Sequence, residues 1–401
     1  MSEAQSAALR DRYPMISDLA ARAYRRIPFF AWEYLDSGTG HEMGVHRNSA
    51  AMHDVLLTPK LMRGSFSPKI ETNLFGIEYS APFGMAPVGL TGLMWPAAEC
   101  ILAQTADKFR IPFTLGTVAT ETPETIGPLV GGMGWFQLYP PRDERVRKDL
   151  LERARSQGFT TLLVTADVPT GSSRERQRKA GVSVPPKWTL EMFYRCLIRP
   201  HWSLATLRHG VPRFRTLERY VPGRDMRNMT EFIGEGFAGT LDWDYLRAVR
   251  REWDGPIVLK GLLDLDDVRR ALDEGIDGIG VSNHGSRQTD AAPAAINILP
   301  HVKDVVCDRA KILFDSGVRS GLDIARALAL GADFVLLGRA FLYGVAALGK
   351  QGADHTATLL RDDLANNMKQ LGCAEIRDLP NRCKQAVLHG RLANQTVVCG
   401  G

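Results

Sequence analysis

From residue 82 onward, short runs of consecutive apolar residues alternate with longer stretches whose apolar positions recur at helical spacing. The runs are Phe83–Val88, Phe113–Gly116, Trp135–Leu138, Thr161–Thr165, Ile257–Lys260, Gly278–Ser282, Ile312–Asp315 and Phe334–Gly338. The stretches between them include Ala97–Phe109, Glu144–Gln157, Leu265–Glu274, Gly321–Ala329 and Ala340–Leu348. A strand that is apolar on both faces belongs in a parallel sheet covered on both sides. Eight such strand–helix units predict an α/β fold, a (β/α)8 TIM barrel, with the whole chain 1–401 as one domain. An open sheet binding a dinucleotide requires a glycine-rich turn after its first strand. Gly84 to Gly92 contains no GxGxxG, so that alternative is disfavoured.

Two segments fall outside the alternation. Residues 13–37 read as helices preceding the barrel, with an aromatic-rich turn from Phe29 to Leu35 ending at Ser37-Gly38, and residues 50–80 read as irregular structure with short strands. Between the fourth and fifth strands lies an insert, 175–236, far longer than an ordinary connection. It interleaves Trp188, Phe193, Tyr194, Leu197, Trp202 and Leu207 with Lys187, Arg195, Arg199 and Arg208. Apolar and basic residues in such a mixture suit contact with an anionic membrane surface, chiefly through 185–220. An ordered lid, a subunit contact or a segment without a role are the alternatives.

Charge sharpens this picture. The net charge is +5, yet residues 174–227 carry 13 Lys/Arg against 4 Asp/Glu, so the rest of the chain is slightly acidic. One basic surface element is implied, and a general nucleic-acid binder is not. A hydrophobic fraction of 44% and a charged fraction of 24% are those of a soluble globular chain. No apolar run reaches membrane-spanning length, and MSEAQSAALRDRYP lacks a signal-peptide core, so a cytoplasmic location is expected. The six cysteines form no CxxC, and neither a disulfide framework nor a metal site is expected.

The strand ends carry polar residues in series: Gln137 and Tyr139, Thr165 and Asp167 with Arg174 beyond, Lys260, Ser282 with His284 and Arg287, Asp315 with Gly317 and Arg319, and Gly338-Arg339. In a barrel these share the carboxyl-end face, where catalysis resides. Asp315–Gly321 and Gly338-Arg339 occupy the positions after strands seven and eight. There glycines expose backbone N–H groups and arginines neutralise an anion, which points to a phosphorylated cofactor or substrate. His284 is the natural general base, and Asp167 is placed to orient it. Arg174 and Arg287 suit bidentate grip of a carboxylate, and Tyr139 suits a substrate oxygen. Lys260 suits a ring that becomes anionic on reduction. A barrel using Lys260 as a Schiff base and an inactive binding barrel are the competing readings.

These stretches carry a resemblance. Phe136-Gln137-Leu138-Tyr139, Thr165-Ala166-Asp167, Val258–Gly261, Ser282–Asp290, Asp315–Gly321 and Gly338-Arg339 are similar to the motifs of the flavin mononucleotide (FMN)-dependent L-2-hydroxy acid oxidases and dehydrogenases. The likeness spans roughly residues 14–380 and is nearest in character to the mandelate dehydrogenase branch. It implies FMN as cofactor and oxidation of an L-2-hydroxy acid to the 2-keto acid. By it, His284 removes a proton, Asp167 stabilises the protonated imidazole, Arg174 and Arg287 bind the carboxylate, and Tyr34 and Tyr139 line the substrate site. It places Lys260 at flavin N1 and O2, Gly89 beside N5, and Pro87, Val88, Thr117, Gln137, Thr165 and Ser282 against the flavin. Asp315, Gly317, Arg319, Gly338 and Arg339 hold ribityl and phosphate. A homo-oligomer is also implied.

Departures from the family pattern guide the finer expectations. Ser286 and Thr289 are unusual within the His284 stretch, and Gly116-Thr117 replaces a serine pair. Val118 stands where glycolate oxidase has a tryptophan, and Gly89 where many relatives have alanine. Val118, Gly89 and the insert favour a substrate larger than glycolate, aromatic and mandelate-like before lactate-like. They also favour a quinone-like electron acceptor, with oxygen the alternative, and peripheral contact with the inner face of the cell membrane.

Overall fold

The computed structural model describes residues 3–182, 189–221, 232, 236–237 and 241–383. Eight parallel strands close into a barrel: β3 (Phe83–Met85), β4 (Phe113–Gly116), β5 (Gly134–Leu138), β6 (Thr161–Thr165), β7 (Ile257–Leu262), β8 (Gly278–Val281), β9 (Lys311–Phe314) and β10 (Phe334–Leu337), with β10 pairing back to β3. All but the first residue of β9 and Gly261 in β7 are buried, as the continuous apolar runs require. The predicted strands agree to within three residues. β3 ends at Met85 and not at Val88, because Pro87 has no N–H to continue the ladder.

Outside the barrel, β1 (Thr72–Leu74) and β2 (Ile77–Tyr79) form an antiparallel hairpin whose central residues, Phe75 and Gly76, both have positive φ. That backbone matches the twist of a two-residue hairpin. The hairpin closes the amino end of the barrel, where Tyr79 packs on Trp135 and Phe334 and accepts a 3.0 Å hydrogen bond from the indole N–H. Burial pushes the Tyr79 phenol up to about 12.

The carboxyl end is left open, and the N-terminal helices Ile16–Arg26 and Phe29–Asp36 lead the chain across it. What reads as an aromatic-rich turn is thus two turns of helix, with Phe30, Ala31, Glu33 and Leu35 buried. A helix at Met43–His53 follows, overlapping the segment expected to be irregular. The insert is ordered where described: helices Leu190–Leu197 and Pro200–His209 form a hairpin beside the barrel mouth. Trp202 fastens it, donating to the Leu93 carbonyl at 3.0 Å and meeting Phe30 edge-to-face. No helix among the described residues is long and apolar enough to cross a membrane.

Candidate active site

Parallel register brings the ends of β6 to β9 together. Thr165 pairs with Lys260, and Lys260 with Gly280. A bulge at Gly261, with φ +106°, interrupts β7 immediately after Lys260. A side chain at 261 would fall on the Asp167 carboxylate, so the glycine is what lets Asp167 lie over the strand end. Gly280 similarly leaves room for the stem of Lys260.

The His284 loop is held in an uncommon conformation. His284, Gly285 and Ser286 all have φ near +60°. Two non-glycine residues in the left-handed region are costly unless the surroundings impose them. Here they do. The Asn283 and Asn48 side-chain amides exchange hydrogen bonds at 2.7 and 2.9 Å, and Asn283 Oδ1 also accepts from the Ser286 N–H. Ser316 Oγ accepts from the N–H groups of Asn283 and Gly285, and Ser282 Oγ from that of His284. The loop thereby sets the His284 ring with Nδ1 2.9 Å from Asp167 Oδ1. Burial alone raises the Asp167 carboxyl, but His284 and Lys260 outweigh it and hold it below the usual carboxylate range. Its second oxygen is buried with no protein partner.

Lys260 donates to Ser282 Oγ and contacts Asp315 Oδ2, both at 2.9 Å, and Ser282 donates to Asp315. Burial opposes the Lys260 charge, yet Asp315 and Asp167 keep its pKa above the ordinary value. The Asp315 carboxylate and Ser282 hydroxyl hold Lys260 as a cation, which disfavours the Schiff-base role, since that requires an unprotonated amine.

These groups open into one cavity of about 370 Å³, within the roughly 300–1,000 Å³ usual for small-molecule sites. Its wall contains Tyr34, Tyr139, Arg174, Lys260, His284 and Arg287, together with Asp315, Gly317, Arg319, Gly338 and Arg339, and Pro87, Val88 and Gly89. Thr117, Gln137, Thr165 and Ser282 lie beneath the wall. Gln137 accepts from the Thr117 N–H and donates to Thr165 Oγ1, a network that orients the ends of β4, β5 and β6. Burial, reinforced by Asp167, pushes the Tyr139 phenol up to about 12, so it remains a hydrogen-bond donor.

Four arginines reach this cavity, and among the described residues none of the four has a carboxylate partner. Arg287 donates to the carbonyl oxygens of Ser37 and Tyr34, and Arg339 to those of Ser37, Leu35 and Gly285. Burial, then Arg174 and Arg339, lower Arg287 to about 9. Burial, then Arg319, lower Arg339 as well. Cations left without counter-charge in this way are built for anionic ligands. The cavity end formed by Ser316, Gly317 and Arg339 is shaped accordingly. Ser316 and Gly317 have φ of +90° and +97°, and the helix Arg339–Leu348 begins at the cavity wall with its first N–H groups unpaired within the helix. This cradle fits a phosphate monoester such as that of FMN.

Sequence reasoning did not anticipate several wall residues. Met94, Val168 and Thr170 line the cavity, as do Phe214 and Phe237 from the insert and its downstream connection. Phe214 is buried, and its neighbours are tied down: Arg215 bonds Glu121, and Thr216 bonds the Glu121 and Arg153 groups. No local pattern marks such loop residues. Gly89 contacts the base of the pocket where a Cβ would lie 2.5 Å from Val118 Cγ2, so Val118 fills the space an alanine methyl would take.

A closed (β/α)8 barrel with a histidine after its sixth strand paired to an aspartate after its fourth, and an arginine-lined anion cradle after its last two, defines a barrel enzyme of acid–base and phosphorylated-cofactor chemistry. A sequence model of the FMN-dependent dehydrogenase family matches residues 23–386, and the chain belongs to that family, with FMN as its cofactor. It is 37% identical over 377 residues to an L-lactate dehydrogenase of Acinetobacter baumannii (strain SDF), covering 93% of this chain and 98% of that one. It is 38% identical over 367 residues to an L-lactate dehydrogenase of Stenotrophomonas maltophilia (strain R551-3), covering 90% and 96%. Among solved structures it is similar to a monotopic membrane protein, (S)-mandelate dehydrogenase, with a TM-score of 0.87, 32% identity and coverage of 92% and 98%. A mandelate oxidase aligns with a TM-score of 0.79 at 30% identity, covering 92% and 97%. The protein is an FMN-dependent 2-hydroxy acid dehydrogenase.

Proposed function

We propose that the enzyme oxidises an L-2-hydroxy acid with a bulky or aromatic side chain to the 2-keto acid and delivers the electrons to a quinone-like acceptor at a membrane surface. The observation that carries the reading is the convergence of the His284–Asp167 pair and the uncompensated Arg287 on one cavity. FMN, when bound, supplies the two-electron acceptor that no side chain provides. Arg174 and Arg287 grip the substrate carboxylate, and the Tyr34 and Tyr139 hydroxyls orient its oxygens. His284 takes a proton from the substrate, and Asp167, held as a carboxylate, stabilises the resulting imidazolium. Lys260 would place positive charge beside the flavin ring when FMN is bound. Met94, Val118, Phe214 and Phe237 favour a large apolar substituent.

Anaerobic titration of the yellow holoenzyme with L-mandelate, L-lactate and glycolate tests this reading. Bleaching with the aromatic acid at the highest kcat/KM is expected, and a preference for glycolate would overturn it. The named relatives favour L-lactate as the second reading, and the same panel decides between them. Fast reoxidation by air with no gain from a quinone would replace the acceptor proposal with an oxidase.

The membrane part rests on the insert. Leu190, Phe193, Tyr194 and Leu197 are exposed along one stripe of their helix, with Leu204 and Leu207 exposed on the next. With the exposed Arg208, they form a surface suited to an anionic bilayer.

A further inference from the structure

The segment 33–42 separates charges of opposite sign. On its cavity side, Arg287 and Arg339 are bound to the carbonyls of Tyr34, Leu35 and Ser37. On its other side stand Glu33, Asp36 and Glu42. All three acids are gathered by Arg176, which takes both Glu33 oxygens at 2.6 and 2.8 Å, both Glu42 oxygens at 2.8 and 3.1 Å, and Asp36 at 3.3 Å. Arg176 lies two residues beyond Arg174 and does not line the cavity.

The acids are close to the arginines they avoid. Glu42 accepts from the Gly38 N–H at 2.6 Å, one residue from the carbonyl that Arg287 and Arg339 share. Asp36 lies between Leu35 and Ser37, both of which bind Arg339 through their carbonyls. Asp36 and Glu42 already act on the charge of Arg339 across this distance. A carboxylate released here gains by swinging to a buried guanidinium, and such a pair would occupy the donors that an anionic ligand needs.

We propose that Arg176 is a positioning residue that sequesters Glu33, Asp36 and Glu42 and so keeps the cavity arginines open to the substrate carboxylate. The proposal rests on the reading of Arg174 and Arg287 as the carboxylate grip. Its test uses the FMN-loaded enzyme and oxalate, a small dicarboxylate, titrated by perturbation of the flavin spectrum. Arg176→Met should weaken oxalate about tenfold or more and raise KM in parallel, while the limiting rate of anaerobic flavin reduction stays within about twofold. Adding Glu33→Gln and Glu42→Gln to Arg176→Met should restore most of the affinity, because of the three competing carboxylates only Asp36 remains, and the Tyr343 hydroxyl holds it at 2.7 Å. In that background no ion pair among the described residues is left to lose, since Arg176 was the partner of both glutamates, so a packing loss is read separately, as a fall in thermal stability and in the limiting rate of flavin reduction. Native oxalate affinity in Arg176→Met, or no recovery in the triple variant, would overturn the proposal. If Arg176→Met yields no folded holoenzyme, Glu42→Gln alone decides: equal or tighter oxalate binding is expected, and weaker binding overturns it. Arg287→Met, measured in parallel, reports on the underlying reading, since unchanged oxalate affinity there would remove the grip itself.

Discussion

Arg287 and Arg339 donate to the same acceptor, the carbonyl oxygen of Ser37, each at 2.9 Å. Two guanidinium groups on one neutral oxygen are held in place without being neutralised. The carbonyls come from the end of the helix Phe29–Asp36, where peptide C=O groups lack intrahelical partners and the helix dipole favours cations. In the proposed reading, Arg287 serves the substrate carboxylate and Arg339 the cofactor phosphate.

Along with its hydrogen bonds to the Ser37 and Tyr34 carbonyls, replacing Arg287 by methionine removes a charge-assisted grip. Such hydrogen bonds contribute about 1.5–3 kcal/mol, so KM for the hydroxy acid should rise roughly 10- to 100-fold, with FMN retained. Steady-state kinetics and the flavin spectrum of the purified variant check both halves. An unchanged KM would remove Arg287 from the substrate site.

Arg287 also sets a pH dependence. Its pKa is lowered to about 9, and only the charged form binds a carboxylate. Affinity should be flat below pH 9 and fall about tenfold per unit above it. The sign for stability is opposite. The unfolded chain keeps this proton to higher pH than the folded one, so the penalty of the buried charge is present at neutral pH and is relieved as pH rises through 9. Oxalate titrations from pH 7 to above pH 10, with thermal melts at the same values, separate the two effects.

His284→Ala should slow anaerobic flavin reduction by about 10²- to 10⁴-fold while FMN stays bound, the range for loss of a general base. Asp167→Asn should slow it less and should also remove an acid-sensitive contribution to stability. The folded Asp167 carboxyl lies below its ordinary value, so that contribution is full above the usual carboxylate range and is lost as pH falls through the folded value. Acid melts of the variant should thus be less steep than those of the native enzyme.

How much of this was legible in the sequence follows from what each feature depends on. The barrel strands were, because burial on both faces leaves an unbroken apolar run, as in Leu162-Leu163-Val164. So were the polar residues at the strand ends, since the topology brings them together whatever their neighbours. The helix Met43–His53 was not, because its buried face consists of Gly44, Asn48, Ala51 and Met52, which give no apolar stripe. Nor was the Ser37 carbonyl, a backbone atom that no residue type advertises. Phe214 and Phe237 reach the cavity through loop geometry. Ser286 looked arbitrary until Gly44 appeared against its hydroxyl, where any side chain would collide. Nothing in the structure explains Thr289.

Ser286 combines a left-handed backbone, φ +59°, with a buried hydroxyl that has no hydrogen-bond partner. Both are unfavourable, by about 1–2 kcal/mol for the backbone and a comparable amount for the hydroxyl, offset in part by the greater freedom of an unfolded glycine. Ser286→Gly should stabilise the protein by about 1 kcal/mol. It should also make Gly44→Ala tolerable, which in the native background should cost about 1–3 kcal/mol by overpacking. Denaturant melts of the two single variants and the double variant form the required cycle. Additive effects would show that the two sites are not coupled.

The exposed stripe of the insert gives the last prediction. Leu190, Phe193 and Leu197 are 91%, 64% and 64% exposed and recur at i, i+3 and i+7, the spacing of a helix face that ordinarily turns inward. Here the inward side is set by Trp202 on Leu93 and by Arg199 on the Ile27 carbonyl, so the apolar stripe is directed away from the barrel. Burying such side chains in a lipid interface is worth about 1.5–3 kcal/mol each at full burial. Changing all three to serine should therefore lower partitioning onto anionic vesicles by at least about a hundredfold, a conservative fraction of that sum. Turnover with a soluble dye as acceptor should stay at the native rate, because none of the three lines the cavity. Native binding should weaken with added salt, as attraction between basic residues and anionic lipid does. Failure of the unmodified enzyme to bind anionic vesicles would overturn the membrane assignment, and binding unaffected by the serine variant would place the contact elsewhere on the surface.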